Sequence, residues 1–362
     1  MSNTLVLSTR KGLLTYECRG SSWHRTGEAF VGVHVSNAMV DSRTKLWWAC
    51  LDHGHWGVKL QRSHDQGQTW EEVAAPAMPE GSELKPGEPA SVNYLWTLVP
   101  GRDEEPERLY LGTVPGGLFT STDSGMSWKL CEGLWNHPTR ENHWFGGGFP
   151  APGIHSIFVD PEHPKHLHVG ISCAGMFETT DGGRSWEPRN KGLSATFLPD
   201  PATEVGHDPH LIVQCPADRR VMWQQNHCGI FRTADAGSHW QAISVAGSFP
   251  HFGFAIACDA EDPLTAWIVP ADADERRVAV DRALAVCRTN DGGETWQTFR
   301  AGLPQTDCYD FAFRHGLIAE GDRLAFGTAC GSLYVSDDRG ETWQTVAKDL
   351  PPIYAVTWGP GD

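Results

Sequence analysis

The sequence has no Cys-x-x-Cys pair among its ten cysteines, no apolar run long enough to cross a bilayer and no excess of positive charge. The first lack excludes a zinc ribbon, the cysteine spacings show no regular disulfide framework, and Cys50, Cys258 and Cys287 fall in strand-like apolar runs where a thiol packs as a small hydrophobe. Twenty-nine Lys and Arg stand against 45 Asp and Glu, a formal charge of −16. That balance argues against nucleic acid and against an anionic membrane surface, which both call for basic patches. It leaves a neutral, cationic or small polar partner. The opening stretch MSNTLVLSTRKGLLTYE lacks a basic segment followed by an apolar core and reads as two short strands, so no export signal is recognised and a cytoplasmic protein with reduced thiols is expected.

What the chain has in abundance is tryptophan, 16 in all, and much of it sits in one recurring octet. Ser/Thr-x-Asp-x-Gly-x-Ser/Thr-Trp occurs at residues 63–70, 121–128, 179–186, 289–296 and 336–343, and at 233–240 with His239 in place of the second hydroxyl. An eroded seventh copy keeps Gly20, Ser22 and Trp23. Asp and Ser/Thr side chains bond nearby backbone N–H groups and Gly tolerates positive φ, so the octet staples a hairpin turn. The Trp that closes it starts the next strand and can bury roughly 200 Å² between neighbouring sheets. Repeats whose closing Trp residues lie 47 to 58 positions apart are long for a solenoid and suit the four-stranded blade of a propeller.

The octet is the Asp-box, or BNR repeat. The chain resembles the broad group of Asp-box propellers that includes sialidases, xyloglucan-processing glycosidases, sortilin-type receptors and photosystem II assembly-factor propellers. The resemblance implies an all-β propeller and leaves function open, because this fold hosts unrelated activities.

Counting strands fixes the number of blades. Each repeat supplies an innermost strand, two more ending at the Asp-box, and a fourth at the box Trp. The first repeat lacks an innermost strand, and the chain ends in one spare strand at 353–358. Pairing the last strand with the first three closes a ring and removes two exposed sheet edges. A seven-bladed β-propeller with one composite blade, forming a single domain over residues 1–362, is therefore expected.

Topology puts the Asp-boxes on one face and the long connections at 75–93, 131–154, 188–210 and 269–286 on the other, where a ligand site at the channel mouth is expected. Aligning innermost strands places Tyr94, His155, His210 and Tyr309 at one level, with Tyr354 close by. These four are the catalytic candidates, the imidazoles as general acid or base and the phenols as positioning or protonating groups. His34, Trp56, Trp144, His227 and Arg10 are the ligand-binding candidates. Trp144 belongs to a Gly-rich aromatic loop that reads either as a stacking lid or as a small core over the propeller. His53, His55, His143, His155, His207, Asp208, His210 and His227 could supply ligands to a divalent metal, though no spacing is a recognised signature and no cofactor is firmly implied. Top-face carboxylates, among them Glu28, Glu88, Glu141, Asp200, Glu204, Asp208, Asp307 and Asp310, meet the general need of glycoside hydrolysis without any being singled out. The sialidase Phe/Tyr-Arg-Ile-Pro motif is missing and the blade count is wrong, so sialidase activity is not expected. The segment 272–282 alternates opposite charges and reads as a self-paired hairpin from which Arg276 or Arg277 could reach an anionic substrate. The expectation is a hydrolase or lyase, glycosidase-like, acting on a small polar or carbohydrate-like molecule. The alternative is a non-catalytic propeller that holds a protein or ligand on its rim.

Overall fold

Seven four-stranded antiparallel sheets are arranged as the blades of a propeller in the computed structural model, which describes residues 2–361. Six sheets use consecutive strands, and the seventh joins Ile353–Trp358 to Thr4–Thr9, Gly12–Arg19 and Ser22–Ala29. The composite blade is thus present, with Leu5 opposite Trp358 and Leu7 opposite Val356. Its outer strand, which begins at the eroded Asp-box copy, is eight residues long.

The Asp-box works as a local clamp. In blade four the Thr179 hydroxyl donates to Asp181 Oδ1 at 2.9 Å and accepts from the Gly183 N–H at 2.9 Å. The other end of the octet closes on the same carboxylate, Ser185 donating through its N–H to Oδ1 and through its hydroxyl to Oδ2. At 233–240 the backbone bond from His239 to Asp235 survives at 2.9 Å, and the hydroxyl bond is lost with the hydroxyl. Gly183 sits in left-handed backbone at φ 88°, where a Cβ would also press on Cys131 Sγ.

The innermost strands carry the feature that shapes the mouth. The pairing of His34–Val40, Tyr94–Pro100, Gly153–Val159 and Pro209–Gln214 with their neighbours skips one residue near the start, and that of Gly253–Cys258 skips two. In the composite blade the skip falls at Tyr354. The residues left out of the ladders are Ser36, Trp96, His155, His210, Phe254 with Ala255, and Tyr354. A bulge re-aims a side chain that the alternation of a regular strand would commit to a sheet face. An irregularity in six of the seven blades, all but the one whose innermost strand is Leu317–Glu320, therefore turns a ring of side chains towards the channel.

Candidate functional site

Two adjoining cavities occupy the channel mouth, sharing Gly148, Phe254, Arg277 and Arg314 in their walls. The first, of about 190 Å³, is walled by aromatic rings: Tyr94, Trp96, Phe149, Phe254, Phe313 and Tyr354. The second, of about 280 Å³, adds Asp208, His210, His227, Cys173, Asp274, Phe145 and Phe197. The glycine loop reaches in because Gly147 lies against Cys173, whose Sγ would be 2.5 Å from any Cβ there.

Asp208 is the centre of the second cavity. It is 8% exposed, and its Oδ1 accepts from the Ser172 hydroxyl at 2.9 Å and the Cys173 N–H at 3.2 Å. Oδ2 faces two imidazoles instead, His210 Nε2 at 3.7 Å and His227 Nδ1 at 3.9 Å. His210 is 1% exposed and its Nδ1 lies 2.6 Å from the Gly253 carbonyl, which can only accept. The proton is therefore on Nδ1, and Nε2 turns a lone pair to the cavity. Burial pulls His210 down to about 4, so the ring is neutral at neutral pH. Burial opposes the charge on Asp208, but His210, the Arg314 guanidinium and the Ser172 hydroxyl outweigh it and hold the carboxyl below its usual value. An ionised carboxylate beside a neutral imidazole is equipped to take a proton from a hydroxyl or a water. The same three groups, one oxygen and two nitrogens, could hold a divalent ion.

The sequence-derived candidates fall in several places. His210 and His227 line the second cavity and Tyr94 the first. His155 sits beneath the mouth, packed edge-on against Trp96 with its Nδ1 2.9 Å from the Ser156 hydroxyl, and lines the channel below. Arg10, His34 and Trp56 border a separate groove of about 460 Å³, where His34 Nδ1 lies 3.3 Å from Asp52. Tyr354 connects the two regions, its hydroxyl 3.5 Å from Arg10 and its ring 4.5 Å from that of His34.

Two placements are corrected. Tyr309 is not in the ring: it is 62% exposed, and the innermost strand of its blade runs over Leu317–Glu320. Segment 309–313 alternates like a strand, but Asp310 Oδ1 accepts from the N–H groups of Phe311 and Cys330 and closes it into a loop. Trp144 is 6% exposed, pressed on Phe177 and His137 with its N–H given to Thr139, which makes the loop over it a small core. Phe254 and Arg314 are groups that the sequence reading does not name, and Asp208 stands there only among several metal-ligand and carboxylate candidates. Had the seventh repeat been registered on 317–320, Arg314 and His315 would have stood at the mouth.

A second histidine cluster lies away from the mouth, at the connection between strands Gly153–Val159 and Leu167–Ser172 of blade four. His166 is held between Asp160 at 2.8 Å and Glu178 at 2.7 Å, and Glu178 also meets His168 and Arg189. Its partners already satisfy it, Glu178 first, and raise its pKa above 6.5. His155, His210 and His315 behave oppositely, burial holding each below 6.5. For these three the unfolded chain takes protons first, so their contribution to stability is complete above pH 6.5 and is lost as pH falls towards the folded values. His166 contributes below pH 6.5 and loses that contribution as pH rises through its raised value. Three groups outweigh one, so the melting temperature is expected to fall between pH 7 and pH 5; calorimetry showing no change across that interval contradicts the burial of these rings as neutral species.

Comparison with known proteins agrees with the clamp geometry. The model of the BNR/Asp-box repeat matches residues 61–72 and 334–345. The chain is a seven-bladed β-propeller that carries BNR/Asp-box repeats. Among curated proteins, this propeller is 24% identical over 266 residues to the oligoxyloglucan-reducing end-specific xyloglucanase of Emericella nidulans, covering 65% of this chain and 30% of that protein. It is 25% identical over 267 residues to the xyloglucanase Xgh74A of Acetivibrio thermocellus, covering 66% and 28%. The chain thus spans under a third of the length of these relatives. Among solved structures, an ancestral GH74 enzyme superposes with a TM-score of 0.58 at 15% identity over 87% of this chain and 38% of its own. YCF48 from Cyanidioschyzon merolae superposes with a TM-score of 0.54 at 15% identity over 92% and 96%. At these identities the superpositions speak for the propeller fold alone.

Proposed function

We propose that this propeller is a glycosidase-like hydrolase or lyase that acts on a small polar or carbohydrate-like molecule at the channel mouth. The observation that carries the reading is Asp208 Oδ2 facing His210 and His227 inside a cavity walled by aromatic rings. Rings such as Phe145, Phe197 and Phe254 suit the apolar face of a sugar, and the carboxylate and imidazoles suit its hydroxyls. Asp208 is the proton acceptor, His210 keeps it flanked by a neutral lone pair, and His227, on the open side of the cavity, exchanges protons with substrate. A second carboxylate, Asp274, lines the same cavity, which matches the two acids of glycoside hydrolysis. The xyloglucanase relatives point to the same class of chemistry. Ten unpaired thiols support a reducing, cytoplasmic setting.

A panel of aryl glycosides, xylogluco-oligosaccharides and sugar lactones tests the reading, with release of product as the readout. Turnover of at least one class that disappears in His210→Gln is expected. A wild-type protein inert across the panel that instead captures a protein in fixed stoichiometry contradicts it. That second reading, a binding propeller, rests on the rim beside the Arg10 groove, where Val31 and Trp56 are each 72% exposed.

A further inference from the structure

Arg314 stands at the junction of the two mouth cavities without an acceptor for any of its N–H groups among the described residues. Its Nε is buried and unpartnered, and no carboxylate of the described residues forms an ion pair with it. Arg43, Arg62, Arg288 and Arg323, also shielded, each hold a carboxylate. Arg232, whose Nε is likewise unpartnered, still gives an N–H to the Pro263 carbonyl and lines neither mouth cavity. The Arg314 guanidinium is sandwiched by rings, 5.2 Å from the centre of Trp96 and 5.6 Å from that of Phe254. Arg277 lies over the same Phe254 ring at 5.0 Å, tied on one side to Asp274. Two guanidinium forks thus meet one aromatic wall in a protein whose formal charge is −16. Leaving a shielded cation with unused donors is costly unless a ligand supplies the acceptor. A planar or tetrahedral oxyanion is the ligand that a guanidinium fork fits.

We propose that Arg314, with Arg277, binds the anionic group of the substrate, a carboxylate or phosphate carried by a sugar or polyol whose hydroxyls reach Asp208, His210 and His227. The proposal rests on the reading of the mouth as the substrate site and adds the class of substrate: an acidic sugar in place of a neutral one.

Calorimetric titration of the full chain with D-glucuronate, inorganic phosphate and D-glucose tests it without requiring turnover. Saturable binding of glucuronate or phosphate is expected, at least tenfold tighter than glucose and weaker as salt is raised, and the stronger of the two names the anion. Arg314→Gln is expected to lose at least tenfold in that affinity, and Arg277→Gln to lose several-fold. Should Arg314→Gln fail to fold, the Arg277→Gln result decides, and an affinity equal to wild type overturns the proposal. So does glucose binding as tightly as the anions, or no saturable binding of either anion. Anion binding without turnover sinks the catalytic reading alone, and turnover of neutral sugars without anion binding sinks this one alone.

Discussion

Deleting residues 352–362 is expected to leave a protein that is insoluble or melts far below the full chain. The strand Ile353–Trp358 is the innermost member of the composite blade, paired along Thr4–Thr9. Ile353 and Val356 are buried in a cluster with Leu5, Leu7, Leu333 and Val335, so the strand also seals blade one against blade seven. On its other flank Thr357 donates to the Ala38 carbonyl of blade two at 3.0 Å. Burial of side chains such as Ile353 and Val356 contributes about 1.5 to 3 kcal/mol each. Loss of several such terms, with the ladder, takes most of the roughly 5 to 15 kcal/mol that a folded domain has. Size-exclusion chromatography and a thermal melt check the outcome. A soluble truncated protein with an unchanged melting temperature contradicts closure by this strand.

Asp208→Asn is expected to reduce kcat/KM on the substrate found by the panel at least a hundredfold while moving the melting temperature by only a few degrees. Asparagine has nearly the shape of aspartate, and its amide oxygen can still accept from Ser172 and the Cys173 N–H as Oδ1 does. What it removes is the charge and the acceptor that face His210 and His227. General acid–base catalysis is worth about 10²- to 10⁴-fold, so the loss lies in that range. Tyr309→Phe, on the exposed loop, is expected to leave both quantities unchanged. Equal activity in Asp208→Asn and wild type removes this carboxylate from the chemistry.

The parts of the fold legible in the sequence are those fixed by local rules. The Asp-box closes on itself within eight residues, so its recurrence marks every blade, and an unpaired first and last strand have one geometric solution. The site is another matter. His210 and His227 were visible as polar residues near strand starts, but the bulges that aim side chains into the channel leave no local signature. Trp144 and Trp56 look alike in sequence; one meets Phe177 and is buried, the other meets solvent. The alternation from Tyr309 to Phe313 imitates a strand, and only the bonds from Phe311 and Cys330 to Asp310 show that it is a loop. Arg314 draws its meaning from what is not beside it, which requires every blade to be in place.

The most direct test of the account is a crystal structure of Asp208→Asn soaked with the substrate class that the panel identifies. The account predicts density in the mouth, with the sugar ring on the Phe254 wall, a hydroxyl at residue 208 and His227, and an acidic group on Arg314. A ligand seated in the Arg10 and Trp56 groove, or on the Asp-box face, with the mouth left to solvent, contradicts it.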